Sequence, residues 1–192
     1  NALPIVDRLA ARAAPGDLAV CIHDPVNGDE RPLYDLAASL GLRVWSAWGA
    51  NPLVRVARSQ GVLAATQIAE RWARGAADLG AEVVEINGER SGRGNLNDWV
   101  IDAPGDAELL PGLATGIVGA VRRGASRARV SFTSHDHARF HRVPWRAFLG
   151  PGGVDLHAPQ VYAVDPSDAA PETHVDARAR LRAHTADAQR LV

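Results

Sequence analysis

Lysine and methionine are absent from this chain, and cysteine occurs once, at Cys21. A single cysteine excludes an internal disulfide. Its place in the apolar run 18–23 marks it as a small core residue rather than a reactive thiol. All 21 basic residues are arginine, which reflects a GC-rich coding bias and not a function. Charge of one sign is also lacking: a net charge of −1 has none of the basic surplus that phosphate-backbone binding requires, so no nucleic acid partner is expected. No apolar run reaches the roughly 18 residues of a membrane-spanning helix, so no membrane partner is expected, and the first residues lack the basic, apolar and small-residue order of a signal peptide. The first strand–helix turn carries no Gly-rich phosphate fingerprint, which removes the usual support for a dinucleotide fold, and nothing else calls for a cofactor. No Gly-x-Ser-x-Gly elbow supports a nucleophilic serine, Ser134 included.

What is present is a chain of 192 residues, 46% hydrophobic, long enough to bury one sizeable core. Residues 1–192 read as a single α/β domain. With Asn-Ala-Leu-Pro at its start and no methionine anywhere, the chain reads as part of a longer polypeptide.

Strand and helix patterns alternate along it. An opening helix carries Val6, Leu9, Ala10 and Ala13 on one side, and residues 18–23 form the first strand. A helix from about Pro32 presents Leu33, Leu36, Ala37 and Leu40 and stops at Gly41. Residues 42–46 form the second strand. One long helix over 57–79 has Ala65, Ile68, Trp72, Ala76 and Leu79 on its buried face, and Trp72 is core. Residues 82–87 form the third strand, followed by a long loop over 88–105 in which Trp99 to Ile101 is a brief strand or an anchor. Then come a helix over 108–123, a fourth strand over 129–133, a short helical turn over 144–149, a fifth strand over 154–162 and a last helix over 174–191. This order argues for parallel strands joined by right-handed crossovers, in an α/β barrel or a doubly wound sheet. Five strands are clear where a closed barrel needs eight, so the expected fold is a TIM-barrel-like (β/α) domain, truncated or incomplete, with five or six visible parallel strands.

The most informative segment is Glu-Val-Val-Glu-Ile-Asn-Gly-Glu at 82–89. Val83, Val84 and Ile86 suit a strand covered on both sides, and alternation puts Glu85, Asn87 and Glu89 on one face. A carboxyl at the carboxyl end of such a strand is where barrel enzymes keep an acid or a base. The other strand ends supply His23 and Asp24, Trp45 and Trp48, Ser134 to His137, and Gln160 with Tyr162. Glycosidic cleavage needs a proton donor, a second stabilising group and aromatic surfaces for the sugar. Glu89 fits the donor and Asp24 the auxiliary carboxylate, while Trp45 and Trp48 suit a sugar platform. Glu85, deeper in the strand, is expected to be buried and paired with an inward arginine such as Arg43.

Asn87-Gly88-Glu89 resembles the Asp-x-Glu strand-end motif of TIM-barrel glycoside hydrolases of the chitinase-like and lysozyme-like kind. Pro159-Gln160-Val161-Tyr162 is similar to the Gln/Met-x-Tyr segment lining their sugar subsite. Residues 131–134 through Phe140-His141 and Pro144-Trp145 look like a strand-plus-loop of glycosidase-like barrels. The resemblance spans residues 18–165. It implies a TIM barrel, Glu89 as general acid, Asn87, Gln160 and Tyr162 orienting the sugar, an extracellular or particle-associated setting, and a β-linked amino-sugar polysaccharide as substrate. Asn87 departs from the expected aspartate: it can hydrogen-bond an acetamido group but cannot balance a developing cation by charge.

Two other functions fit the same residues. A non-catalytic carbohydrate-binding or structural barrel, part of a larger cell-surface or phage-tail assembly, agrees with Asn87. A metal-dependent hydrolase would be centred on His135 and His137, which alternation places on one side, with Asp24 or Glu89 completing the ligands. Otherwise His135 and His137 are sugar contacts or locally bonded loop residues.

Overall fold

The computed structural model describes residues 19–23, 31–88, 98–101, 103–134 and 143–159, together with Arg182, Ala183, Ala186 and Arg190. The opening helix lies outside the described residues. Of the expected last helix, the four isolated positions are helical.

Among residues 19–159 as described, five strands and five helices follow one another: β1 Ala19–His23, α1 Arg31–Ser39, β2 Arg43–Gly49, α2 Asn51–Gln60, α3 Val62–Asp78, β3 Val83–Asn87, α4 Asp106–Gly124, β4 Arg129–Ser134, α5 Trp145–Leu149 and β5 Leu156–Pro159. The strands form one parallel sheet in the order β1-β2-β3-β4-β5. The α/β class expected from the alternation is therefore what the chain adopts. The sheet of the described residues is open, with β1 and β5 at its edges, and is not a closed barrel.

Alternation along each strand sorts the side chains. Ile22, Val44, Trp48, Val84, Ile86, Val130 and Phe132 join residues of all five helices in one hydrophobic cluster. The five described helices thus pack on this face. Cys21, Trp45, Ala47, Val83, Glu85, Asn87, Ser131 and Thr133 occupy the intervening positions and face the other way. That second face is also buried at its centre: Ala47, Val83, Glu85, Ser131 and Thr133 are all buried.

The helix expected over 57–79 is two helices. Gly61 sits between α2 and α3 with φ of 89°, a left-handed value that suits glycine, and Pro52 opens α2 in the first turn, where its missing N–H costs nothing. Helix α3 then lays Ala65, Ala69, Trp72, Ala73 and Ala76 against the sheet and α4. Small residues let the two helices approach closely: a Cβ added to Gly124 would stand 2.4 Å from the carbonyl oxygen of Glu70. Glu70 holds the same crossing through Arg123 of α4 at 2.9 Å, and pairs within α3 with Arg74 at 3.1 Å. No helix among the described residues is long and apolar enough to cross a membrane.

Cys21 does not belong to the core. Edge strand β1 turns Ile22 into the cluster and Cys21 to the opposite face, where it is exposed. Among the described residues β1 has a neighbouring strand on one side alone, and the apolar run around Cys21 does not bury it.

Candidate functional site

Strand β3 is central, and its register fixes the neighbours of each polar side chain. Glu85 lies between Ala47 of β2 and Ser131 of β4, and Asn87 lies between Gly49 and Thr133. Adjacent strands are about 4.8 Å apart, so these residues form two polar rows across the face away from the helices. The β2 members of both rows are small. No described atom lies within 4 Å of a Cβ built on Gly49, so space opens beside Asn87.

The end of β3 is held by its backbone. The carbonyl of Asn87 accepts from the amide of Ala50 at 2.8 Å, and the amide of Gly88 donates to the carbonyl of Thr133 at 2.9 Å. Gly88 lies over the ring of Phe132, where a Cβ would come within 2.7 Å, so only glycine fits without moving the ring. Phe132 is fixed beneath by a stacked contact with Phe148 at 3.9 Å. The strand that precedes Glu89 therefore ends on a rigid support.

Glu85 is 7% exposed, as burial of a central strand predicts, but Arg43 is not its partner. The guanidinium of Arg43 binds Glu82 at 2.7 Å. Register explains the difference: Glu85 is level with Ala47, four residues and roughly 13 Å along β2 from Arg43. The charge of Glu85 is felt on β1. Desolvation first, and then Glu85, push the Cys21 thiol up to about 11, which makes it a poor nucleophile at neutral pH. Ser131 Oγ and Thr133 Oγ1, beside Glu85 and Asn87, are buried and make no hydrogen bond within the described structure. The pattern Arg-Val-Ser-Phe-Thr-Ser of β4 contained this information, since alternation sets Ser131 and Thr133 opposite Val130 and Phe132.

Trp45 and Trp48 do not make one platform. An odd separation puts them on opposite faces of β2. Trp48 stacks on Trp72 at 4.9 Å, in contact with the helical core, and Trp72 is buried as expected. Trp45 shares the face of Glu85 and Asn87, level with Cys21 and Val83. Of the other candidates, Glu89, Asp24, Gln160, Tyr162, His135 and His137 lie outside the described residues. Among the described residues no group of three or more His, Cys, Asp or Glu is placed to hold a metal ion.

The loop tryptophans are anchors. Trp99 is fully buried with its ring edge-on to Phe148 at 5.2 Å, and its neighbour Asp98 pairs with Arg55 at 3.3 Å. Trp145 is buried in α5 against Phe132 at 6.1 Å. His157 sits on β5 with Nε2 2.9 Å from Ser134 Oγ. That serine ends β4 and is buried, hydrogen-bonded to His157. Burial holds the His157 imidazole neutral, its pKa lowered to about 4.

Compared with known proteins, the chain matches no family model and no curated relative.

Proposed function

We propose that this chain is a glycoside-hydrolase-like (β/α) barrel module acting on a β-linked amino-sugar polysaccharide, with Glu89 as general acid and Asp24 as auxiliary carboxylate. The observation that carries the reading is the polar face of β3. Glu85 and Asn87 share the side away from the helices, beside a small-residue gap over β2, and the same alternation leads along the sequence to Glu89. Consecutive parallel strands with helices on one side are the building plan of a TIM barrel, whose chemistry sits at the carboxyl ends of the strands. In this reading Asn87, Gln160 and Tyr162 orient the sugar, Trp45 supplies an aromatic surface, and His135 and His137 are substrate contacts.

Glu89→Gln tests it directly. The substitution keeps size and hydrogen bonding but removes the transferable proton, and loss of a general acid lowers turnover by roughly 100-fold or more while substrate binding persists. Hydrolysis of chitin-type or peptidoglycan-type polymers at the wild-type rate by the Glu89→Gln protein would reject the assignment.

A second reading rests on Asn87, which carries no charge to balance a sugar cation: a carbohydrate-binding or structural module without turnover, within a larger assembly. Binding of the same polysaccharides by the intact protein, unchanged by Glu89→Gln and without product, would favour it. A third, metal-dependent hydrolysis through His135 and His137, requires a stoichiometric metal that is lost on His135→Ala.

A further inference from the structure

Five rings meet at the carboxyl end of β4 on the helical side of the sheet. Phe132 stacks on Phe148 at 3.9 Å, Trp99 stands edge-on to Phe148 at 5.2 Å, and Trp145 stands edge-on to Phe132 at 6.1 Å. His157 is the fifth ring, parallel to Phe132 at 6.3 Å and edge-on to Trp145 at 6.1 Å. The cluster joins the connection after β3, which carries Trp99, to the connection after β4, which carries Trp145 and Phe148. It also secures β5, a strand of four residues that, among the described residues, pairs with β4 alone.

We infer that His157 is an acid-operated latch: neutral, it packs in this aromatic cluster and bonds to Ser134; protonated, it releases β5 and loosens the two connections anchored on Phe132. The inference does not depend on the glycosidase reading.

Among the described residues the surroundings contain nothing to stabilise an imidazolium. With Nε2 unprotonated the Ser134 hydroxyl donates to it, a bond that favours the neutral ring, and this is the hydrogen bond His157 makes among the described residues. The charged groups on the packed elements are engaged elsewhere or are cationic. Asp155, two positions back and just before β5, is held by the guanidinium of Arg122 at 2.8 Å and by the amide of Val130 at 2.7 Å. Arg129 lies at the far end of β4, and Arg146 on α5 is exposed. Desolvation accordingly sets the titration, lowering the pKa to about 4. The sign follows: the folded value lies below the unfolded one, so the latch is closed above about pH 6.5 and its contribution is lost as pH falls toward the folded value.

The test is a titration of the intact protein from about pH 7 downward, followed by near-ultraviolet circular dichroism and imidazole NMR. The expected result is a reversible one-proton loss of the near-ultraviolet signal of Trp99 and Trp145, with far-ultraviolet ellipticity retained and the midpoint below the ordinary imidazole value. His157→Gln, which keeps a polar group for Ser134 and cannot take up the proton, should abolish that step. Ser134→Ala should move its midpoint upward, since it removes the bond that favours the neutral ring. The same step persisting in His157→Gln would overturn the inference. So would a His157 resonance in the wild-type protein that titrates at or above about 6.5, a measurement that stands even if His157→Gln does not fold.

Discussion

Arg43 is bound to Glu82, 2.7 Å away, and not to Glu85 on the opposite flank of the same segment. The pair at the amino end of β3 leaves the charge of Glu85 to act on the face that also holds Cys21, Trp45 and Asn87.

That field is measurable through the thiol. Glu85→Gln removes the negative charge that, after desolvation, holds Cys21 high, so the Cys21 pKa should fall from about 11 while staying above that of a free cysteine. The pH profile of iodoacetamide alkylation reports it directly. An unchanged profile would mean that Glu85 does not reach β1 electrostatically.

Gly88→Ala should destabilise the fold by roughly 1–3 kcal/mol, because the added methyl meets the Phe132 ring at 2.7 Å and that ring is trapped against Phe148. Urea unfolding gives the comparison. A midpoint equal to wild type would show that the ring yields freely and that β3 does not end on a rigid support.

Gly124→Ala probes a different contact, in which the methyl would meet the backbone oxygen of Glu70 at 2.4 Å. A backbone atom cannot rotate aside, so α3 and α4 must separate, at a cost of about 1–3 kcal/mol in the same unfolding assay. Retained stability would contradict the close crossing.

Asp106 is buried at the first turn of α4, where one carboxylate oxygen accepts from Arg58 at 2.8 Å and the other from the amide of Ala103 at 3.0 Å. Asp106→Ala should lose roughly 1–3 kcal/mol, since the Ala103 amide loses its acceptor. Asp106→Asn, which retains an acceptor, should lose less. Equal losses would indicate that the charge pair with the half-exposed Arg58, and not the cap, carries the effect.

The acid limb of stability has a second contributor. The Arg122 hydrogen bond lowers the Asp155 pKa below its ordinary 3.8. A depressed carboxylate adds stability that is present above the unfolded value and disappears as pH falls through the folded one. Arg122→Ala should therefore shift the acid-unfolding midpoint upward, as followed by far-ultraviolet circular dichroism. A midpoint that does not move would assign acid sensitivity to other groups.

Much of this architecture was legible residue by residue. The apolar runs around Ile22, Val44, Val84 and Val130 mark the strands, and the stripe through Ala65, Trp72 and Ala76 marks the helix that covers them, because burial imposes periods of two and 3.6 on the side chains. Alternation also placed Glu85 and Asn87 together. The same rule, applied strictly, separates Trp45 from Trp48; the platform drawn from both overlooked an odd spacing. Gly61 was hidden inside a helical pattern, where one glycine reads as a tolerated residue until its φ is known.

The linear chain by itself determined which positions turn inward and which elements alternate, since both are local consequences of backbone geometry acting on a few consecutive side chains. The folded arrangement alone decided who stands beside whom: Arg43 with Glu82, Trp48 on Trp72, Ser134 with His157, and Cys21 out on an exposed edge. Those pairings depend on strand order and register between segments far apart in sequence, which the hydrophobic period leaves unspecified.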